Sequence, residues 1–383
     1  MSSTLAPARR TDDFCAMSGT QPLAWRATLD QYRQQARALF DALGAGDNDA
    51  AWCFKWQHPR FRGKGVDEVR AAALGLADAE LVVAQEYGFA TWAALVAFIE
   101  AVEHDPAVQR FESAADAVVS GDVVRLGDML REDPALIHAR STRRHHATLL
   151  HYVGANGVEG IRQATPVNAV EVAKLLLDAG AEVDALADMY DHKCTTMSML
   201  VSSSHPAQAG LQGALAETLL DYGAALDGPG TEWQSALMTA LVFGFTETGE
   251  ALARRGAPVT RLPAAAGLGR GGDVARLLPA ASPAERHSAL ALAAQLGHAG
   301  IVRQLLDAGE DPNRYNPEGH HSHATPLHQA VWSDRLDVVR LLVERGARCD
   351  IKDTIFDGTP LDWANYGGKS AIAEYLRSAL PHT

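Results

Sequence analysis

The sequence lacks the features that would place the protein in a membrane or in a common class of enzyme. No run of 18 or more apolar residues is present, which argues against a membrane-spanning helix. Residues 1–20 contain no apolar central stretch like that of a secretory signal, so we expect a disordered lead-in there. The motifs G-x-S-x-G, H-E-x-x-H and the phosphate-binding P-loop are also missing. No catalytic residue, metal ligand or cofactor is therefore predicted from a motif.

Cysteine is scarce, and basic residues are fewer than acidic ones. The four cysteines are far apart and none belongs to a C-x-x-C pair. This spacing favours reduced thiols in the cytoplasm over a disulfide framework or a cysteine zinc site. The net charge is -13 at pH 7, whereas broad nucleic-acid binding needs Lys and Arg to displace counterions from phosphates. We therefore expect a cytoplasmic protein for which nucleic acid is a disfavoured partner.

Two segments near the end of the chain repeat one pattern. The stretch "ATPLHQAVWSDRLDVVRLLVERGA" at 324–347 is echoed by "GTPLDWANYGGKSAIAEYLRSA" at 358–379. In each, Thr caps a first helix, Pro occupies its first turn without losing a hydrogen bond, and Leu points inward. A second helix follows and ends at a residue that tolerates a left-handed backbone. Five second helices are predicted to end in glycine: Gly180, Gly223, Gly256, Gly309 and Gly346.

The stretch "TPLHQA" at 325–330 resembles the T-P-L-H-x-A core of the ankyrin repeat, whose period is about 33 residues. The resemblance covers roughly residues 112–380. It implies an all-α ankyrin-repeat solenoid of about 7–8 helix-pair repeats, which we place at 111–383, with residues 111–140 as a degenerate first pair. It also implies that the T-P-L-H histidines, His151 and His328, bond within their own repeats.

Residues 21–110 are predicted to form an N-terminal helical cap region. Apolar residues at helical spacing predict helices over 28–46 and 75–105, the second broken at Gly88. The turn "EYGFATW" at this break resembles one found ahead of many bacterial ankyrin arrays. Between these helices, "WCFKWQHPRFRGKG" at 52–65 interleaves cations with aromatics, a pattern that can bind single-stranded nucleic acid. The alternative, which the acidic charge of the chain favours, is a loop whose aromatic residues pack on the cap.

The number of residues from the start of the first helix to the glycine that ends the second shows which repeats contain insertions. From Thr325 to Gly346 is 21 residues, whereas the same interval is 32 in the repeat starting at Thr148 and 28 in the repeat starting at Thr195. These differences predict enlarged inter-helix loops near 156–168 and 202–212. Because unusually long loops are often functional, we expect these two loops to shape a binding site.

The ankyrin resemblance also selects candidate binding residues, because such arrays bind partners through their fingers and the exposed side of their first helices. Aromatic and charged side chains in that register supply most of the energy of protein interfaces. The candidates in that register are Arg144, His145, Asn156, Asp191, His192, Ser202, Glu232, Gln234, Trp332 and Tyr366; Tyr190 and His205 are added from the dense polar stretch at 188–206. A further group, His320, His321 and His323, is expected on an extended, solvated finger.

Two classes of function remain open from the sequence. The first is a binding or scaffold protein that recognises a protein partner through the concave face of the array. The alternative is a small-molecule- or metal-binding protein, or an enzyme, with a site within residues 145–234. His145, Asp191 and His192 could form a metal site, or His192 and Glu232 an acid–base pair, although spacing alone brings neither set together. The stretch "GLGRGG" at 267–272 is interpreted as a turn between helices, since no strand precedes it.

Overall fold

The computed structural model describes residues 23–227 and 235–379. These residues form two compact units, an N-terminal unit that ends at Ser235 and a C-terminal unit that begins at Ala236. Nearly all of the regular structure is helical, as predicted. The proposed lead-in at 1–20 lies outside the described residues, as do Glu232 and Gln234. Residue 110 falls inside a helix, and the domain boundaries stay a prediction.

The first five helices have a core of their own. Their bounds are α1 Leu29–Gly44, α2 Asn48–Gln57, α3 Val66–Arg70, α4 Leu76–Glu86 and α5 Trp92–His104. The predicted helices over 28–46 and 75–105 are thus present, and the second is interrupted at Gly88, where φ is 81°. Buried aromatic residues such as Tyr32, Phe54 and Tyr87 fill the space between these helices.

The basic and aromatic segment at 52–65 is helical in its first half, where α2 runs to Gln57, and contains a short 3-10 turn at Pro59–Phe61. Trp52 and Trp56 stack with ring centroids 6.0 Å apart, and the ammonium of Lys55 lies 4.5 Å from each ring. Lys55 is buried, and this burial lowers its pKa. The aromatic residues therefore pack within the helical region, as the alternative interpretation of this segment expected.

Three helix pairs follow in the N-terminal unit. The degenerate first pair is present as α6 Pro106–Ser120 and α7 Val123–Glu132. The second pair is α8 Leu149–Val153 with α9 Ala169–Asp178. A hairpin of β1 Ala187–Met189 and β2 His192–Cys194 then leads to α10 Thr196–Leu200 and α12 Gln212–Asp221, with the short α11 Ser204–Gln208 between them. The two predicted insertions lie between α8 and α9 and between α10 and α12.

The C-terminal unit is a stack of five helix pairs within residues 235–379. The pairs are α13 Ala236–Val242 with α14 Thr246–Arg254, α15 Leu262–Gly267 with α16 Gly271–Leu277, α17 Pro283–Leu296 with α18 Ala299–Asp307, α19 Pro326–Trp332 with α20 Leu336–Glu344, and α21 Pro360–Tyr366 with α22 Ser370–Ala379. First helices contact first helices and second helices contact second helices along the stack. Alanine, leucine and valine side chains from the last four pairs, α15 to α22, form one continuous core. With the three earlier pairs, the described residues contain eight.

The repeat register is confirmed by the backbone. The five glycines predicted to end second helices all have a positive φ, between 88° and 102°. The stretch at 267–272 forms the turn between α15 and α16, with Gly269 at φ 70°, so its interpretation as a helical turn is confirmed. The T-P-L-H histidines behave as the ankyrin resemblance implies. His151 Nδ1 and His328 Nδ1 accept from the backbone N–H groups of Thr148 and Thr325, at 3.2 and 3.3 Å.

One prediction from the cysteines is wrong. Cys53 is disulfide-bonded, whereas Cys194 is a buried free thiol and Cys349 a half-buried one. The spacing gave no sign of this bond because its geometry depends on how separate segments meet in the fold. Among the helices of the described residues, none is both long enough and apolar enough to cross a bilayer.

Candidate functional site

The enlarged loop between α8 and α9 folds inward and carries buried charges. Glu159 and Arg162 come from this loop, Glu112 comes from α6, and Arg143 comes from the first finger at residues 140–146. All four side chains are at most 2% exposed. Arg162 Nη1 donates to Glu112 Oε2 and to Glu159 Oε1, each at 2.6 Å, and Arg143 Nη1 donates to Glu112 Oε1. This buried charge cluster fixes the loop against α6.

Charge balance explains how these groups tolerate burial. Burial alone would raise the pKa of Glu159, but Arg143, a hydrogen bond from His145 and the charge of Arg162 hold that pKa well below its usual range. Glu159 therefore stays ionised beside two guanidinium groups. Tyr152 adds a hydroxyl 3.3 Å from both oxygens of Glu159. Because these groups satisfy one another away from solvent, the cluster holds the fold together and is not open to a partner.

His145 belongs to this buried cluster, which corrects the expectation that it lies exposed on a finger. Its side chain is 4% exposed, and Nε2 lies 3.0 Å from Glu159 Oε2. The register located the finger, but the side chain turns inward because the loop insertion brings Glu159 beneath it. The metal site proposed from His145, Asp191 and His192 is not assembled. In the described part of the chain, no group of three or more His, Cys, Asp or Glu side chains could hold a metal ion.

Three other candidates meet at the surface of the N-terminal unit. The Tyr190 hydroxyl donates to Asn156 Oδ1 at 2.5 Å, and Asn156 Nδ2 donates to Ser202 Oγ at 2.8 Å. Tyr190 is 55% exposed and has a positive φ of 53° at the turn of the β1–β2 hairpin. Asn156 and Ser202 stand at the starts of the two enlarged loops, so this hydrogen-bonded chain joins both loops to the hairpin.

The remaining candidates of this unit are spread around that chain. Asp191 pairs with Arg62 at 2.9 Å, and Arg144 donates to Gln85 Oε1 at 2.7 Å. His192 is half-buried at the start of β2. His205 lies in α11, and burial lowers its pKa. The acid–base hypothesis for His192 and Glu232 remains untested, because Glu232 is outside the described residues.

In the C-terminal unit, aromatic rings form a continuous line, which we call the aromatic row. Successive ring centroids are 6.3, 5.8, 5.9 and 6.4 Å apart along Phe356, His323, Trp363, Trp332 and Tyr366. Trp332 and Tyr366 each lie seven residues after the Thr that caps their helix, so stacking α19 on α21 brings these rings together. They stack with an interplanar angle of 18°. Both residues were predicted as binding candidates from the sequence, but the contact between their rings was not.

Hydrogen bonds to Asp353 hold the aromatic row in place, and the rings at its ends are exposed to solvent. Asp353 accepts from Trp363 Nε1 at 2.9 Å and from the backbone N–H groups of Ile355, Phe356 and Gly358 at 2.7 to 3.0 Å. One carboxylate thus fixes both the central ring and the finger that carries Phe356. Phe356, Trp332 and Tyr366 are 42%, 39% and 87% exposed. The row therefore presents rigid apolar rings to solvent.

The histidine-rich finger beside this row is folded in, which corrects the expectation of a solvated loop. His320 and His323 are buried, and His321 is half-buried with Nε2 3.1 Å from the carbonyl oxygen of Val242. Burial lowers the pKa of His323 to about 4. These histidines are therefore neutral packing residues near neutral pH.

Sequence comparisons with known proteins agree with this architecture. A family model described as "Ankyrin repeats (3 copies)" matches residues 264–353. The rat cyclin-dependent kinase 4 inhibitor B is 31% identical over 119 residues, which cover 24% of this chain and 91% of that protein. The crystal structure of the human ASB11 ankyrin repeat domain, at 19% identity, covers 70% of this chain and 98% of that chain with a TM-score of 0.37.

Two longer relatives match over a short part of their length. The mouse ankyrin repeat and SAM domain-containing protein 6 is 34% identical over 26% of this chain, and the Drosophila melanogaster palmitoyltransferase Hip14 is 33% identical over 23%. These matches span 11% and 13% of the two relatives. The relatives named here come from animals, and a bacterial origin stays a prediction.

Proposed function

This chain belongs to the ankyrin-repeat family, and from that premise we propose that it binds a protein partner through the aromatic row of its C-terminal unit. The observation that carries this proposal is the exposure of Trp332, Tyr366 and Phe356 along one line of rings. Aromatic side chains bring large contact area at a low entropic cost, and they dominate the hot spots of protein interfaces.

The rigidity of the row supports the same function. Trp332 stacks on Tyr366 and meets Trp363 edge to face, while Asp353 holds the finger that ends in Phe356. Rings that are ordered before binding lose little freedom when a partner arrives. One relative is by name an inhibitor of a cyclin-dependent kinase, so its target is a protein. A protein is therefore the class of partner that we propose here.

The test compares capture of proteins from a lysate of the source cells by the purified chain and its variants. Trp332→Ala with Tyr366→Ala should lose a partner that the unaltered protein retains, with an affinity loss of about 30-fold for an interface centred on these rings. Tyr222→Ala is the matched control, because Tyr222 is an exposed tyrosine of the N-terminal unit. Capture of the same proteins by the double variant and the unaltered chain would contradict the proposal.

A further inference from the structure

Three segments of the N-terminal unit are fastened together at the surface beside the β1–β2 hairpin. They are residues 58–64, the first finger at 140–146, and the hairpin at 187–193. The amide of Asp188 donates to the carbonyl of His145 at 2.8 Å, and Arg140 Nη1 donates to the carbonyls of His146 and Leu186 at 2.9 and 2.7 Å. Arg62 Nη1 then joins the first segment to the hairpin through Asp191.

These segments carry an excess of positive charge on a protein whose net charge is -13. The only acidic residues of the three segments are Asp188 and Asp191. Arg143 also lies in these segments, but its side chain is buried and paired with Glu112 in the buried charge cluster. The exposed cations of the three segments, which we call the basic surface, are Arg60, Arg62, Lys64, Arg140, Arg144 and Lys193. The basic surface therefore opposes the charge of the rest of the molecule.

Asp191 pairs with Arg62 in an exposed contact. Its Oδ2 lies 2.9 Å from Arg62 Nη1, in a pair whose side chains are 60% and 75% exposed. Arg144 lies on the neighbouring finger, where Nη1 donates to Gln85 Oε1 at 2.7 Å; burial and the charge of Arg62 lower its pKa, and Asp191 opposes this shift. Exposed ion pairs of this kind are weak, because water screens both charges. Asp191 is therefore a weakly held carboxylate that a stronger anion can displace.

We propose that the basic surface docks an acidic segment of a protein partner, whose carboxylates pair with Arg62 in the position that Asp191 now holds and with Arg144 of the neighbouring finger. Planar guanidinium groups suit carboxylates because they can donate two parallel hydrogen bonds. This interaction is distinct from the one proposed for the aromatic row, and it rests on different residues of a different unit.

An acidic protein segment fits better than a nucleic acid. Binding of single strands uses exposed aromatic faces on which bases stack. Near this surface, Phe61 is buried, and Trp52 and Trp56 stack on each other with Lys55 against both rings. Tyr190, whose hydroxyl donates to Asn156, is the one Phe, Tyr or Trp ring of the three segments that is exposed, so successive bases would find a single ring on which to stack. A long polyanion would also meet the negative charge of the rest of the protein, whereas a short acidic segment stays within the basic surface.

The proposal is tested by fluorescence anisotropy with a fluorescein-labelled peptide of ten glutamates, at low and at physiological ionic strength. The full chain should bind this peptide, and Arg62→Gln with Arg144→Gln should weaken binding about tenfold or more. The matched control is Arg33→Gln with Arg131→Gln, which removes the same charge from two exposed arginines paired within their own helices. This control should bind like the unaltered chain.

A second variant tests the role of Asp191 with no loss of cations. Asp191→Asn keeps a residue that tolerates the local φ of 64° and removes the competing carboxylate. It should tighten binding of the glutamate peptide about threefold, and no gain in affinity would contradict binding at the position that Asp191 holds on Arg62. The whole proposal fails if the peptide does not bind, if both double variants bind it equally, or if a labelled ten-nucleotide thymidine strand binds more tightly.

Discussion

Gly346 shows how one residue fixes a repeat. It ends α20 at φ 90°, and a Cβ added there would meet no atom within 4 Å. The cost of a side chain at this position is therefore backbone strain alone. Gly346→Ala should lower the free energy of unfolding by about 1 kcal/mol.

Gly300 is the control for that prediction, because it lies exposed near the start of α18 with open space around its Cα. Gly300→Ala should leave stability unchanged or raise it by up to about 1 kcal/mol, since alanine favours the helix. Both variants are measured by urea denaturation. Equal effects of the two substitutions would show that Gly346 does not need its left-handed backbone.

His151 links stability to pH. Burial lowers its pKa to about 4, against an ordinary value of 6.5, and Nε2 faces the carbonyl of Cys194 at 3.3 Å. Between those two values the unfolded chain binds a proton that the folded chain does not. The free energy of unfolding should therefore fall as pH drops from 6.5 toward 4, by up to about 1.4 kcal/mol per pH unit for this group.

His151→Gln isolates this contribution. The variant should be less stable at pH 7, because it loses the buried ring and its hydrogen bonds, but it should show a smaller loss of stability between pH 6.5 and pH 4. His138→Gln, at an exposed position, is the control for the removal of one histidine. Urea titrations at several pH values between 4 and 6.5 give the free energy of unfolding for each variant. If this free energy changes with pH equally in His151→Gln and in the unaltered chain, His151 is not a source of the pH dependence.

At the scale of elements, the loop between α8 and α9 gives a direct test of the structure, because it carries part of the buried charge cluster. Arg162→Met removes one partner from the buried charge cluster and leaves Glu112 and Glu159 with less compensation. Loss of a buried partner typically costs about 3–5 kcal/mol. Arg131→Met, which breaks an exposed pair with Asp128, should cost about 0.5 kcal/mol or less. Chemical denaturation of both variants tests this, and similar values would show that the loop is not structural.

The same loop shows the limit of sequence reasoning about elements. Repeat spacing located the insertion because an undisturbed helix pair has a fixed length. It did not show that Glu159 and Arg162 turn inward, since Arg162 meets Glu112 across 50 residues of sequence. The prediction that His145 is exposed was wrong for the same reason. Asn156 and Ser202 were selected by register and Tyr190 from the polar stretch at 188–206, but their hydrogen bonds depend on where the two loops and the hairpin meet.

At the scale of the whole molecule, the ankyrin fold was predictable because each repeat restates the same caps, turns and apolar positions. Gly180, Gly223 and Gly256 end helices as expected, although their repeats lack the full T-P-L-H pattern. Binding surfaces are not repeated, and they depend on side chains that differ between repeats. Trp332 and Tyr366 could be predicted because they share one register position, whereas the basic surface joins segments far apart in the chain.

The central claim, that a protein partner contacts the aromatic row, is tested most directly by site-specific photo-cross-linking. A benzoylphenylalanine placed at Tyr366 should give a discrete adduct in a lysate of the source cells, and excess unlabelled chain should suppress it. The Trp332→Ala, Tyr366→Ala variant should fail to suppress that adduct. The same cross-linker at Tyr222 should give none. Equal adducts from positions 366 and 222, or equal suppression by the double variant, would contradict the account.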